Sequence, residues 1–289
     1  QKNAEGCRFI PICLSDSMAY LASDYAIWMS GNAAVHMGKS FPQERIDYIM
    51  GHCEAEFMID EAFIAEAMGR DVQTVNYKPL TEGQSCIMYY TSGSTGNPKG
   101  VVLKTGSIMR SIQVHVEILA ADRYDHFMSI APCYFVAILM AHTYLFSGKT
   151  VHLISSEMKR DVERLERYME DQKIQTAYLG ASLLRLIKSV PSELRVAVAA
   201  GERLVGGYNG KYDVVNSYGQ TETGGGCLYK VLDKNYDNTP VGRPQPVIEA
   251  CLLDEQGKEV PDGEVGELCI KSGVEPPEYY KDPERTAEL

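Results

Sequence analysis

The sequence predicts an α/β domain with a largely parallel sheet layered with helices, followed by a smaller β subdomain. Over most of the chain, short apolar runs alternate with amphipathic stretches, which is typical of strands that alternate with helices. After about residue 226, glycine and proline become frequent and helical spacing disappears. The 289 residues, of which 45% are hydrophobic and 23% charged, have the composition of a globular protein large enough to bury a core.

The α/β region is predicted to span residues 1–226. Apolar residues at helical spacing predict helices at residues 18–29, 107–119, 161–173 and 181–188. Apolar and β-branched runs predict strands at residues 56–59, 86–90, 101–103, 127–131, 151–154, 177–179, 196–199 and 214–217. Pro42 predicts a further short helix, because proline favours the start of a helix.

The smaller β subdomain is predicted to span residues 227–289. Its clearest strands are expected at residues 248–253 and 268–270. Residues 254–257 between them have the composition of a turn. No internal repeat or low-complexity segment interrupts either region.

Charge and composition argue against several classes of function. The net charge of −11 disfavours broad attraction to nucleic acid or to an anionic membrane, so we expect neither partner. No apolar run approaches the roughly 20 residues that span a bilayer, and the first residues lack a signal-peptide pattern. The eight cysteines show no two-residue spacing, and the histidines show no metal-ligand spacing. We therefore expect reduced thiols in a cytoplasmic protein.

The first stretch that indicates chemistry runs from residue 91 to residue 100, between two predicted strands. Its glycines allow a tight loop with inward backbone amides. Lys99 adds a point charge for a phosphate. Further groups that suit phosphate oxygens are the hydroxyls of Thr91, Ser92, Ser94 and Thr95. The alternative is a solvent-exposed hairpin loop, and the spacing is not that of a Walker loop, because Pro98 stands where the second glycine would be.

This string resembles the phosphate loop of the adenylate-forming superfamily, which includes acyl-CoA synthetases, luciferases and nonribosomal peptide synthetase adenylation domains. The resemblance implies ATP and Mg²⁺ as cofactors, with catalytic roles for Thr91 and Lys99. The loop residues that it implies in nucleotide binding are Thr91, Ser92, Gly93, Ser94, Thr95, Gly96 and Lys99. Residues 31–46 resemble an early segment of the peptide-synthetase type, and helix packing is their expected role.

A second motif, residues 216–222, follows a predicted strand and offers an aromatic ring, a glycine turn, a hydroxyl and a carboxylate. It resembles the superfamily's second core motif, which implies that Tyr218 stacks on adenine, Thr221 contacts the α-phosphate and Glu222 is catalytic and holds Mg²⁺. A shorter string, residues 200–203, resembles the segment of the superfamily that lies against the adenine ring. Together these two segments add nucleotide-binding candidates at Gly201, Glu202, Asn216, Ser217, Tyr218, Gly219 and Thr221. The alternative is an ordinary exit from a strand, with a solvated glutamate.

The acid substrate is indicated less directly. In amino-acid-activating relatives, an aspartate after the strand at residues 127–131 anchors the substrate ammonium, and Cys133 aligns with that place. A cysteine supplies no fixed negative charge at neutral pH unless its pKa is depressed, so an aryl, hydroxy or simple acyl acid is also open. The alternative for Cys133 is a buried small apolar residue. The other positions that align with the acid pocket are Tyr134, Ala137, Tyr178, Val198, Ala200, Ser217, Gly225 and Gly226.

Three functions stay open from the sequence. The first is an adenylation domain that activates a small carboxylic or amino acid and loads the phosphopantetheine of a carrier protein, which residues 31–46 favour. The second is an acyl- or aryl-acid ligase that uses coenzyme A, which Cys133 permits. The third is a non-catalytic adenylation-like interaction domain, and the intact loop and Glu222 argue against it. The resemblance also places a ribose-binding aspartate and a mobile C-terminal domain after residue 289, so we expect a fragment that adenylates poorly by itself.

Overall fold

The computed structural model of the chain describes residues 8–71, 77–92, 97–272 and 275–289. Its helices are α1 (Met18–Met29), α2 (Gln43–His52), α3 (Glu61–Met68), α4 (Thr105–Leu119), α5 (Leu139–Phe146), α6 (Val162–Asp171), α7 (Ala181–Leu184) and α8 (Pro283–Thr286). Short 3-10 turns span Val136–Ile138, Met158–Arg160 and Thr221–Thr223. No described helix has both the length and the apolar character needed to cross a bilayer.

The strands form two mixed sheets and a separate hairpin, with helices layered on the sheets. They are β1 (Phe9–Leu14), β2 (Ala33–Gly38), β3 (Ser85–Thr91), β4 (Lys99–Lys104), β5 (His126–Ser129), β6 (Thr150–Leu153), β7 (Thr176–Tyr178), β8 (Val196–Ala200), β9 (Asp213–Gln220), β10 (Gly225–Val231), β11 (Arg243–Pro244), β12 (Ile248–Leu253), β13 (Glu267–Ser272) and β14 (Glu278–Tyr279). The predicted fold class is confirmed, with the parallel strands divided between two sheets.

The first sheet has the order β1-β2-β3-β4-β14. Strands β1, β2 and β3 are parallel, whereas β4 is antiparallel to β3, and β14 is antiparallel to β4. Tyr279 of β14 pairs with Val101 of β4. This pairing brings a segment near the end of the described chain to the strand that begins at Lys99.

The second sheet has the order β11-β10-β9-β8-β7-β5-β6. It is parallel from β6 through β9 and antiparallel from β9 through β11. The hairpin β12-β13 is antiparallel. The predicted boundary at residue 226 falls inside β10, which pairs with β9, and the division into residues 1–226 and 227–289 stays a prediction.

One hydrophobic core joins the two sheets through α4 and α5. The rings of Phe127 and Tyr144 stack within it, with centroids 4.2 Å apart. Burying such a side chain is worth about 1.5–3 kcal/mol. Representative core members from both sheets and both helices are Ile87, Leu103, Ile112, Phe127, Tyr144 and Val198. Because protein interiors are tightly packed, this shared core fixes β3 and β4 relative to β9.

The strand predicted at residues 56–59 is wrong. Among the described residues of that segment, Ile59 alone bridges to Ile12, and its amide donates to the Pro11 carbonyl at 2.8 Å. Phe57 is exposed and stacks on the ring of Phe63. The apolar residues of this run have separate roles, because Phe57 stacks on Phe63 at the surface while Ile59 is buried in the core.

Two other elements differ from the prediction in extent. The helix predicted at residues 181–188 ends at Leu184. Residues 31–46 do more than pack a helix, because residues 33–38 form β2, whose residues are all buried between β1 and β3. Such a strand, covered on both faces, lacks the alternation that marks a half-buried strand.

Candidate active site

The loop of the first motif joins the antiparallel strands β3 and β4. Thr91, the last residue of β3, pairs in register with Lys99, the first residue of β4. The Thr91 hydroxyl oxygen is buried and has no hydrogen-bond partner among the described residues. A buried hydroxyl without a partner costs free energy, so a phosphate oxygen would satisfy it. Ser92 is exposed. The predicted residues that lie outside the described chain are Gly93, Ser94, Thr95 and Gly96.

Lys99, Glu222 and Tyr279 form one cluster. Lys99 Nζ lies 3.0 Å from Glu222 Oε1 and donates to the Tyr279 hydroxyl at 2.7 Å. That hydroxyl donates to Glu222 Oε1 at 3.0 Å. The side chains of Lys99 and Glu222 are 24% and 10% exposed. Two motifs that are far apart in the sequence therefore meet at one partly buried place.

The cluster sets the protonation of its own members. Burial alone would lower the pKa of Lys99, but its hydrogen bonds to Tyr279 and Glu222, together with the charge of Glu222, raise that pKa above its ordinary value. Burial raises the pKa of Tyr279, so the hydroxyl stays protonated at neutral pH. The site thus holds a full positive charge against a carboxylate, in surroundings where charge interactions are stronger than in water.

The turn after β9 positions Glu222. The Thr223 hydroxyl accepts from the Gln220 amide at 3.1 Å and donates to the Gly225 carbonyl at 2.7 Å, which closes the turn. Gly224 and Gly225 have φ angles of 72° and 108°, in the left-handed region that favours glycine. The sequence of this turn therefore holds the Glu222 backbone in one place.

The other residues of the second motif lie on β9 or just after it. Tyr218 is 46% exposed, so one face of its ring is accessible. Asn216 is buried, and its side-chain amide donates to the Pro240 carbonyl at 3.0 Å. Thr221 is half-buried. Their roles toward adenine and the α-phosphate stay predictions.

Gly219 allows β9 and β10 to approach each other. A Cβ placed on Gly219 would lie 1.8 Å from the Gly225 carbonyl oxygen and 2.8 Å from Gly226 Cα. The Gly219→Ala variant should therefore push the strands apart, destabilise the fold by about 1–3 kcal/mol and displace the turn that carries Glu222. Thermal unfolding monitored by circular dichroism measures this loss as a lower Tm.

The control for Gly219→Ala is Gly51→Ala. Gly51 lies in α2, and a Cβ there would meet no atom within 4 Å. Alanine at that helical position should leave the Tm unchanged or raise it, since alanine favours helices over glycine. Equal Tm values for wild type and Gly219→Ala would contradict the close approach of the two strands.

Gly201 and Glu202 follow β8. Gly201 has a φ of 81°, which favours glycine. The Glu202 carboxylate accepts hydrogen bonds from the Ser182 amide at 2.7 Å and from the Ser182 hydroxyl at 2.6 Å, and these bonds lower its pKa. Glu202 therefore links the end of β8 to α7. Contact of both residues with adenine stays a prediction.

Five of the predicted acid-pocket residues form one surface near the carboxyl ends of the parallel strands. Tyr178 pairs with Val198, and Ala200 pairs with Ser217, so these four side chains share one face of the sheet. The Tyr178 hydroxyl donates to the Ala200 carbonyl at 3.4 Å. A Cβ on Gly226 would lie 2.5 Å from Ser217 Oγ, so Gly226 packs directly on this surface. Ligands of open α/β sheets bind at this end of the strands.

Gly225 connects that surface to the 3-10 turn that carries Ala137. A Cβ on Gly225 would lie 3.6 Å from the Val136 side chain, the neighbour of Ala137. Tyr134 precedes the same turn, and its ring packs edge-on against Phe41, with centroids 4.9 Å apart. The structure thus places Gly225 beside the turn, while Tyr134 packs against Phe41, in the segment between β2 and α2.

Cys133 is fully buried. Burial, and after it the neighbouring Asp16 carboxylate, raise the pKa of its thiol well above the ordinary value. The thiol is therefore neutral at physiological pH. It supplies no negative charge for a substrate ammonium.

A cleft of about 380 Å³ lies between α4, the turn after β9 and the β12-β13 hairpin. The predicted residues Glu222 and Gly226 line it. Residues of the cleft that the sequence did not indicate include Ser107, Arg110, Ser111 and Gln245. Because Gly226 also packs on Ser217, the cleft adjoins the acid-pocket surface.

Tyr279 is the clearest site residue that sequence reasoning missed. It lies in the two-residue strand β14, whose pairing with β4 places it next to Lys99 and Glu222. A strand of two residues carries no periodic signal. Residues 279–283 resemble a stretch of the superfamily's β subdomain, but this resemblance implies a structural landmark and no role for Tyr279 in the site.

The cluster of Lys99 with Glu222 joins the two motifs that resemble those of the adenylate-forming superfamily. Comparison with protein families makes this specific, since the family described as AMP-binding enzyme matches residues 3–280. The chain belongs to that family.

Individual relatives agree with this assignment. Bacitracin synthase 1 of Bacillus licheniformis is 26% identical over 309 residues, which take in 100% of this chain and 6% of that protein. Tyrocidine synthase 2 of Brevibacillus parabrevis is 26% identical over 313 residues, which take in 100% of this chain and 9% of that protein. The chain thus spans less than a tenth of the length of these two relatives.

Solved structures share the fold. The nonribosomal peptide synthetase FmoA3, in its α-methyl-L-serine-AMP-bound form, superposes with a TM-score of 0.86 at 19% identity, covering 98% of this chain and 35% of that one. The N-terminal subdomain of Klebsiella oxytoca NpsA, bound to 3-hydroxyanthranilyl-AMSN, gives a TM-score of 0.83 at 22% identity, covering 98% of this chain and 78% of that one. The anthranilate CoA ligase AuaEII, in complex with anthranoyl-AMP, gives a TM-score of 0.84 at 19% identity, covering 98% of this chain and 62% of that one.

Proposed function

We propose that the chain activates a small carboxylic or amino acid with ATP, for transfer to the phosphopantetheine thiol of a carrier protein. The substrate carboxylate attacks the α-phosphorus, an acyl-adenylate forms and pyrophosphate leaves. The observation that carries this proposal is the 3.0 Å contact between Lys99 Nζ and Glu222 Oε1, because it joins the two predicted nucleotide-binding segments. Membership of the AMP-binding enzyme family supports the same reaction class.

The chain's own groups act by positioning ATP and neutralising its charge. The Thr91 hydroxyl and the Lys99 ammonium would bind phosphate oxygens, and Thr221 would contact the α-phosphate. The accessible ring of Tyr218 would stack on adenine. In-line attack of a carboxylate on phosphorus needs no protein nucleophile, so orientation and electrostatic stabilisation are what the protein supplies.

Glu222 has the chemistry of a magnesium ligand. Mg²⁺ prefers oxygen ligands, and one or two carboxylates with substrate phosphates complete its shell in nucleotide sites. Across the part of the chain that the structure describes, no three His, Cys, Asp or Glu side chains could hold a metal together. Phosphate oxygens would therefore be needed beside Glu222, and bound Mg²⁺ would neutralise phosphate charge. Lys99 would then pair with a phosphate oxygen in place of Glu222.

A second candidate is an aryl- or acyl-acid ligase that transfers its product to coenzyme A. The buried, neutral thiol of Cys133 favours it, because that position offers no charge to an α-ammonium. Both candidates share the adenylation step and differ in the acid and in the acceptor thiol.

ATP–pyrophosphate exchange tests the shared step in the native protein that carries the chain. Amino acids, aryl acids and fatty acids are offered in turn, with Mg²⁺ present. Exchange with an acid that has no α-ammonium is the result expected from a neutral Cys133, and exchange with α-amino acids alone would contradict that expectation. If no acid supports exchange and the protein does not bind ATP, the result would favour the non-catalytic interaction domain and overturn the proposal.

Several finer assignments stay predictions beside this proposal. The choice between a carrier protein and coenzyme A as acceptor, the cytoplasmic location and the absence of nucleic-acid or membrane partners rest on the sequence alone. The acceptor can be identified by adding phosphopantetheine-loaded carrier protein or coenzyme A to the adenylating reaction and detecting which of the two forms a thioester.

A further inference from the structure

A buried pair of polar side chains contacts the backbone of Cys133. Asp24 of α1 and His36 of β2 are both fully buried, and Asp24 Oδ1 lies 2.7 Å from His36 Nε2. The other ring nitrogen, His36 Nδ1, lies 2.9 Å from the Cys133 carbonyl oxygen. The pair therefore ends on the backbone of the residue that aligns with the substrate-anchoring position.

The hydrogen bonds orient the ring of His36. A carbonyl oxygen only accepts, so His36 Nδ1 donates to the Cys133 carbonyl. Nε2 of the same ring faces Asp24, whose pKa is lowered because its contacts with His36 and His142 outweigh burial. Asp24 therefore keeps its charge, and the ring is held between that carboxylate and the backbone of Cys133.

The same residue is held from its other side. The Cys133 amide donates to Asp16 Oδ1 at 2.7 Å, and Lys159 Nζ lies 3.5 Å from Asp16 Oδ2. Both backbone polar groups of Cys133 thus bind side chains that lie elsewhere in the sequence. Hydrogen bonds to charged groups are roughly twice as strong as those between neutral groups.

We propose that Asp24 and His36 are positioning residues that, together with Asp16, clamp the backbone of Cys133 and so fix the wall of the acid pocket. This inference rests on the proposed function. Buried ion pairs seldom stabilise a fold more than well-packed apolar residues would, so a pair that binds this backbone acts on geometry. A pocket whose wall is held before the substrate arrives orders fewer groups on binding.

Three variants separate the hydrogen bond to Cys133 from the contact between Asp24 and His36. His36→Leu removes the donor to the Cys133 carbonyl. The double variant His36→Asn, Asp24→Asn removes the imidazole and the carboxylate, and the asparagine amide at position 36 can reach the place of Nδ1. His36→Leu leaves the buried charge of Asp24 without the His36 ring, and a buried charge that loses a partner can unfold a protein. The double variant Asp24→Leu, His36→Leu, which has no such charge, is therefore measured beside the single variant. His115→Asn is the control, since His115 is buried in α4 and its ring bonds Thr143, at 3.3 Å.

The kinetic measurement is pyrophosphate exchange at varied acid and varied ATP. The leucine variants should raise KM for the acid about tenfold, which corresponds to about 1.4 kcal/mol, and leave KM for ATP unchanged. The double asparagine variant should restore KM for the acid to within about threefold, and His115→Asn should change neither constant. An unchanged acid KM in both leucine variants, or equal rises in both Michaelis constants, would overturn the inference while leaving the proposed function standing.

Amide hydrogen exchange provides a readout that needs no turnover. In the leucine variants the segment from residue 131 to residue 135 should exchange faster than in wild type, whereas the double asparagine variant should retain protection. Unchanged protection of this segment in the leucine variants would overturn the clamp even if no acid is turned over. Absence of exchange activity in the wild type, with the clamp confirmed by hydrogen exchange, would point to failure of the proposed function alone.

Discussion

Glu222→Gln is expected to lower kcat/KM for ATP by about 100-fold or more, the loss typical of removing one preorganised charge-stabilising group. Glutamine keeps the size of the side chain but removes the negative charge that would bind Mg²⁺. It also removes the ion-pair partner that lies 3.0 Å from Lys99 Nζ. Pyrophosphate exchange at varied Mg²⁺ measures the effect, and excess Mg²⁺ should restore part of the rate.

The matched control for this change is Glu278→Gln. Glu278 also forms an ion pair with a lysine of β4, since Lys104 Nζ lies 3.1 Å from Glu278 Oε1. Its side chain is 42% exposed, against 10% for Glu222, and ion pairs open to solvent contribute about 0–1 kcal/mol. The control should retain nearly the wild-type rate. A Glu222→Gln rate equal to that of Glu278→Gln would refute the metal-binding role of Glu222.

Lys99→Met should reduce kcat/KM for ATP by a similar factor, about 100-fold. Methionine fills much of the volume of lysine, so the change removes the positive charge that would bind a phosphate. It also leaves the Glu222 carboxylate, 10% exposed, without its cation. The loss should fall mainly on ATP, so KM for the acid should change much less than KM for ATP.

Lys104→Met is the control for Lys99→Met. Both lysines lie on β4 and both pair with a glutamate, but Lys104 pairs with Glu278 and lies outside the cluster of Lys99, Glu222 and Tyr279. We expect Lys104→Met to leave ATP turnover within about threefold of wild type. Similar losses in both variants would show that the effect of Lys99→Met comes from the strand and not from phosphate binding.

Local patterns predicted the α/β fold because they depend on neighbouring residues. The helix predicted at residues 18–29 forms with those bounds as α1, and the helix predicted at residues 161–173 forms as α6, with Asp161 capping it through the Arg164 amide at 2.9 Å. The errors arose where tertiary contacts decide the structure. Phe57 and Met58 are apolar but not in a strand, and β2 is buried on both faces and lacks alternation.

The residues of the candidate site were likewise predicted only in part from the sequence. The nucleotide-binding roles of Thr91, Lys99, Tyr218 and Glu222 follow from the resemblance of two strings to core motifs of the adenylate-forming superfamily. The position of Tyr279 does not follow from any local pattern, since it depends on a two-residue strand that pairs with β4. The clamp on Cys133 is also invisible in sequence, because Asp16, Asp24 and His36 converge only in the folded chain.

The most direct measurement is a crystal structure of the chain with Mg²⁺ and a non-hydrolysable ATP analogue. We predict one triphosphate between the β3-β4 loop and the turn after β9, with Lys99 on a phosphate oxygen, Glu222 on Mg²⁺ and adenine on the ring of Tyr218. A nucleotide that touches only one of the two segments, or that binds in a separate cavity, would contradict the account.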